Sequence, residues 1–200
     1  MKKNNTETEI LKILLKQFTI TWTITSLAKE INVSRVGIWK VLKRLEIEKL
    51  IILSSIGQGK TSTFSINLNW ENPVLEKRLF LILIEGAFKH QKWINNFEEL
   101  SSKIDFLILF GSILHTPKEA NDIDILGVVS NKNNFSSIEK IIQKIQKTQI
   151  KKIHSENFIR TEFKEEIKKK NKIFIDAMKK GIILFGQEKF VKFIKSILVK

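Results

Sequence analysis

The chain has 200 residues, 42% of them apolar, and a formal net charge of +14, which suits either a polyanionic partner or a lysine-rich solvated surface. That length allows one large domain or two small ones with real cores. The lack of cysteine excludes a disulfide framework and a zinc–thiolate site, and no apolar run has the length of a signal segment or a membrane span, so the expectation is a cytoplasmic protein with no membrane partner. Residues 1–5 are polar. From Thr6 onward Ile10, Ile13, Leu14 and Phe18 keep a helical period, with Thr6 and Glu9 as a candidate capping box. Residues 19–25 are rich in Thr, Ile and Trp and read as extended. A short helix starts at Thr25 or Ser26, Asn32-Val33 forms a turn, and Ser34 caps a longer helix over 35–49. Residues 50–55 and 61–68 read as two strands around a Gly57-Gln58-Gly59 tip.

This order of elements over about residues 6–69 resembles a winged helix-turn-helix domain. Ile38, Val41, Leu42 and Leu45 form the inner face of its second helix, and Arg35, Trp39, Lys40 and Lys43 the outer face. In that motif the second helix enters the major groove with its first half. The resemblance therefore implies DNA-facing roles for Ser34, Arg35, Trp39, Lys40 and Lys43, and a phosphate contact for Lys60 at the hairpin. Winged helices also serve as protein-interaction or dimerisation modules, and an indole at Trp39 suits either stacking or a dimer interface.

Residues 69–73, Asn-Trp-Glu-Asn-Pro, form the expected domain boundary, with proline at a helix start. The resulting division is 1–69 and 70–200. An apolar helix over 74–90 and a second over 93–101 then precede a strand that ends in Gly111-Ser112. Asp122 and Asp124 follow within another apolar run. Side chains two apart on a strand share a face, so the two carboxylates project together while Ile123 and Ile125 point into the core. Paired carboxylates call for a cation, and Mg²⁺ combines one or two of them with substrate phosphates. The bland alternative is a solvated turn at a strand entrance. Farther on come an amphipathic helix carrying Ile138, Ile141, Ile142 and Ile145, a third strand over 149–158 and a helix from Thr161. A helix over 171–180 closed by Gly181, the short strand Ile182-Ile183-Leu184-Phe185-Gly186 and a helix over 188–198 complete the chain.

Apolar-Gly-Ser, a spacer, then Asp-apolar-Asp resembles the signature of the polymerase-beta-like nucleotidyltransferase superfamily, in its minimal branch. The later Lys-Lys-Gly-Ile-Ile-Leu-Phe-Gly is similar to that branch's closing segment, so the resemblance covers roughly residues 95–186. It implies that Gly111 and Ser112 hold the nucleoside triphosphate and that Asp122 and Asp124 bind Mg²⁺. Many minimal members follow Gly-Ser with Ala-Arg-Gly, whereas this chain has Ile113-Leu114-His115-Thr116. The family takes a third carboxylate from a neighbouring strand. Here that strand offers Glu156, with His154 on the same face.

The expected fold is α+β: a winged helix-turn-helix followed by an α/β nucleotidyltransferase domain with a small mixed sheet flanked by helices. The expected function is Mg-dependent transfer of a nucleoside monophosphate from a nucleoside triphosphate to a protein, RNA or small-molecule acceptor, coupled to DNA binding. Asp122, Asp124 and Glu156 are the expected catalytic set. The alternative is a DNA-binding transcriptional regulator whose second half is degenerate or senses nucleotide, including a toxin–antitoxin component. A homodimer reading two half-sites fits either.

Overall fold

A computed structural model describes residues 2–57 and 63–199. The chain divides into two compact units, with the division inside one helix, between Ile82 and Leu83. The sequence reading put the boundary at 69/70, ahead of that helix.

The first unit contains α1 (Lys2–Lys16), β1 (Trp22–Thr23), α2 (Ile24–Ile31), α3 (Arg35–Ile47), β2 (Ile51–Ile56), β3 (Thr63–Leu68) and the first part of α4 (Pro73–Phe88). α1 begins ahead of Thr6, so Thr6 lies inside the helix and is not its cap. No proline or glycine precedes it to stop the backbone ladder. α2 starts earlier than its apolar pattern suggests, because Thr23 and Ser26 cap it reciprocally. Thr23 Oγ1 accepts from the Ser26 amide at 3.2 Å, and Ser26 Oγ accepts from the Thr23 amide at 2.8 Å. α2 ends on Asn32, whose φ of 56° is left-handed, a conformation that asparagine tolerates. Ser34 caps α3 by accepting from the Gly37 amide at 3.1 Å, as its position in the sequence predicts. The strands form an antiparallel sheet in the order β1-β3-β2, with Ile51 opposite Leu68 and Ile56 opposite Thr63.

The core of this unit is built from Ile10, Leu11, Leu14 and Leu15 of α1 and Ile38, Leu42 and Leu45 of α3, with Leu27, Ile66 and Leu68. The buried carboxylate of Glu7 ties α1 to Arg44 of α3 and Arg78 of α4, and Arg78 reaches Glu48 at 2.5 Å. Lys16 is 5% exposed, and burial lowers its pKa from the ordinary lysine value to about 7; Lys12 adds to the shift and Glu9 opposes it. The folded form therefore disfavours the proton that the unfolded chain keeps up to about pH 10. Below pH 7 both states carry it. Between pH 7 and 10 only the unfolded state does, so stability rises with pH, by up to about 1.4 kcal/mol per pH unit. Urea titrations of Lys16→Met across this range are expected to show a flatter profile and higher stability at neutral pH.

The second unit contains the rest of α4, then α5 (Gln91–Phe97), β4 (Phe106–Phe110), β5 (Asp122–Val129), α6 (Phe135–Gln146), β6 (Lys152–Ile159), α7 (Arg160–Lys168), α8 (Lys172–Lys180), β7 (Ile182–Phe185) and α9 (Gln187–Leu198). Its sheet has the order β6-β5-β4-β7. β5 and β6 run parallel, joined through α6, and the other neighbours are antiparallel, so the sheet is mixed and flanked by helices. One face packs Leu107, Leu109, Ile123, Ile125 and Ile153 against Trp93, Phe97 and the isoleucines of α6. On the other, Phe106 meets Phe163 of α7 and Phe190 of α9 edge-on at 5.9 and 5.3 Å. Gly181 does end α8, but at φ −65° and not in a left-handed turn. A Cβ there would lie 2.5 Å from Ile108 Cγ2, so the need is for close packing on β4.

Candidate functional site

The antiparallel pairing of β4 with β5 sets Phe110 opposite Asp124, which brings the Gly-Ser turn to the acids. Gly111 has φ 82° and ψ −168°, a region essentially restricted to glycine. A Cβ on Gly111 would fall 2.1 Å from Asp124 Oδ2, so the backbone of the turn lies directly on the carboxylate. Ser112 is exposed and opens a short 3-10 turn, Ser112–Leu114; the Gly111 carbonyl accepts from the Leu114 amide, and the Ser112 carbonyl accepts from the amides of His115 and Thr116. Ile113 is buried in the core and anchors this turn.

Asp122 and Asp124 are half-buried, and Ile123 and Ile125 are buried beneath them, as the period of two requires. The parallel register with β6 sets Lys152 level with Asp122 and His154 level with Asp124. His154 Nδ1 lies 3.7 Å from Asp122 Oδ2 and 3.6 Å from Asp124 Oδ1, ion-pair range for an imidazolium and too long for hydrogen bonds. Burial raises the pKa of Asp124; the charge of Asp122 adds to the shift and His154 opposes it. Glu156 shares the strand face by alternation but is exposed and level with Leu126, one step beyond His154.

Two carboxylates, one held against its own ionisation, create a demand for positive charge. Their oxygens suit a hard cation, and the Gly111 backbone lies directly beside one of them. Among the described residues no group of three or more His, Asp and Glu is arranged to hold a metal. Asp122 and Asp124 are the two side chains here that could offer oxygens to a hard cation.

The first unit presents a second surface. Arg35, Lys40 and Lys43 are exposed on α3. Ser34 is exposed too, but its hydroxyl already serves as the helix cap. Trp39 is half-buried against Phe64 of β3, ring centroids 5.8 Å apart, with Lys43 Nζ 4.7 Å above its ring. Lys43 also pairs with Glu46 at 2.8 Å. Trp39 thus joins α3 to the hairpin, and Lys43 is tied to its own helix. Lys60 lies outside the described residues.

Comparison with known proteins supports this part of the chain. Residues 6–59 match a protein-family profile described as an HTH domain. The chain therefore carries an N-terminal helix-turn-helix domain, a class that binds DNA through its second helix, here α3. No curated protein and no solved structure matches the chain. Among the described residues no helix is long and apolar enough to cross a membrane.

Proposed function

We propose that the second unit is a Mg²⁺-dependent nucleotidyltransferase attached to a DNA-binding helix-turn-helix. The observation that carries this reading is the contact of the Gly111 backbone with the Asp124 carboxylate. It sets a glycine backbone directly beside a pair of acids at one end of one sheet. In this reading Asp122 and Asp124 hold Mg²⁺, which supplies charge neutralisation for the triphosphate and the departing pyrophosphate. Gly111 lets phosphate oxygens approach the backbone, and the exposed Ser112 hydroxyl donates to them. The acceptor hydroxyl attacks the α-phosphorus, the bond to the β-bridging oxygen breaks, and pyrophosphate leaves. The hydroxyl proton passes to His154 at Nε2, since Nδ1 faces the carboxylates. The strand register favours His154 for this role over Glu156.

A second reading rests on the helix-turn-helix match: a DNA-binding regulator whose second unit senses nucleotide without transferring it. The two are separated by offering each α-labelled nucleoside triphosphate with Mg²⁺, cell extract and total RNA. The transferase reading expects label on protein or RNA with the intact protein, and at least a hundredfold less with Asp122→Ala/Asp124→Ala. Absence of label with every nucleotide, while the protein still retards DNA in a gel, would select the regulator.

A further inference from the structure

At the opposite end of the sheet, α7 and α9 enclose a cavity of about 220 Å³. It is lined by Arg160, Thr161 and Lys164 from α7 and Lys189, Lys192 and Ser196 from α9, with four cations and no carboxylate among its lining residues. The spacing follows helical turns: Lys164 stands four residues after Arg160, and Lys192 three after Lys189. Beneath them lies Asp105, 6% exposed, which takes Arg160 Nε at 2.8 Å and Lys189 Nζ at 3.1 Å. Asp105 engages the guanidinium through Nε and not through its Nη fork. One carboxylate therefore fixes two cations and neutralises only one of them. Lys192 pairs with Glu188 at 3.0 Å, but both side chains are about half exposed, and such a pair is weak enough to yield to a stronger anion.

The chain geometry maintains this arrangement. Gly186, at φ 72°, turns β7 into α9, and a Cβ on it would fall 1.8 Å from the Asp105 carbonyl oxygen. The start of α9 is thereby packed onto the Asp105 backbone, within reach of Lys189. Asp105 precedes Phe106, whereas Asp124 pairs with Phe110. The cavity is thus about 17 Å of strand away from the acid pair.

We propose that this cavity is a binding site for a phosphate group, formed by Arg160, Lys164, Lys189 and Lys192 around the hydroxyl of Thr161, the Ser196 hydroxyl being already given to the Phe193 carbonyl. A dianion there would meet preset donors, and charge-assisted bonds of that kind are the strong ones. The site does not depend on the transferase reading. The phosphate is either free or part of a polynucleotide backbone, and the experiment distinguishes the two.

The test is a residue-resolved NMR titration of the full chain in Mg²⁺-free, low-salt buffer, where the acid pair repels anions. One arm uses pyrophosphate and the other a single-stranded RNA hexamer. Saturable shifts are expected at the amides of residues 160–164 and 189–196. Lys164→Ala/Lys192→Ala should weaken them about tenfold, as the loss of two charge-assisted contacts implies, with the rest of the spectrum unchanged. The charge-matched Lys140→Ala/Lys147→Ala, in α6 and just past its end, should bind as the parent does. Saturation by pyrophosphate alone identifies a free anion, and saturation by both, in competition, identifies a backbone phosphate. Shifts that never saturate, or that fall equally in both variants, would overturn the proposal, because net charge alone would then account for them.

Discussion

Gly111→Ala is expected to abolish nucleotide transfer and lower the melting temperature of the second unit. Two effects add. The first is conformational: at φ 82° and ψ −168° a Cβ costs on the order of 1–3 kcal/mol. The second is steric, because the new methyl would overlap Asp124 Oδ2 at 2.1 Å and the carboxylate must swing away. The strain acts on stability, at about 4 °C for each kcal/mol in a unit of this size. The displacement acts on the site, since Asp124 is one of the two proposed metal ligands. A fall in transfer of at least a hundredfold is the expected result, larger than thermal loss alone produces at 20 °C. Ser112→Ala separates the two, since its side chain is exposed. It should keep the melting temperature and lose only the hydroxyl contact to phosphate.

The second large effect is expected at Asp105. Burial pushes this carboxyl up, but hydrogen bonds from Ser130 at 2.6 Å, Arg160 and Lys189 outweigh it and hold the group below the ordinary aspartate value. Removing one partner of a buried ion pair is strongly destabilising, and the solvent exposure of Arg160 and Lys189 tempers the cost. Asp105→Ala is therefore expected to cost about 2–3 kcal/mol in urea unfolding. The sign of the pH dependence follows from the lowered value. The stabilisation is fully present above the unfolded-state pKa, near pH 4, and is lost as pH falls through the folded-state pKa. Asp105→Asn should unfold more readily at neutral pH yet show a shallower loss of stability below pH 4. An unchanged acid limb would mean that the carboxylate does not carry this linkage.

What the sequence revealed and what it hid divide along physical lines. Period-two alternation was enough to place Asp122 and Asp124 on one face, and an apolar run ending in Gly-Ser was enough to locate the turn that meets them. Both are local features. The identity of the β6 residue beside Asp124 is not local, because the register of a parallel strand depends on how the α6 crossover docks. His154 and Glu156 satisfy the alternation equally, and only the pairing of Asp124 with His154 distinguishes them. Asp105 was harder still. Its partners Arg160 and Lys189 lie 55 and 84 residues away, and a lone acid before an apolar strand carries no pattern. In the first unit Ser34 and Asn32 announced their roles through residue type, since capping and left-handed turns are short-range chemistry. Trp39 did not, because its contact with Phe64 depends on how the hairpin folds back over α3.

The most direct test of the account supplies the same nucleoside triphosphate with label at the α position in one reaction and at the γ position in another. Nucleotidyl transfer predicts that α-label remains on the acceptor while γ-label is recovered only in pyrophosphate, and that Asp122→Ala/Asp124→Ala removes both signals. Transfer of the γ-label, or α-label that persists in the double variant, would contradict the assignment of the Gly111–Asp124 site as the centre of the reaction.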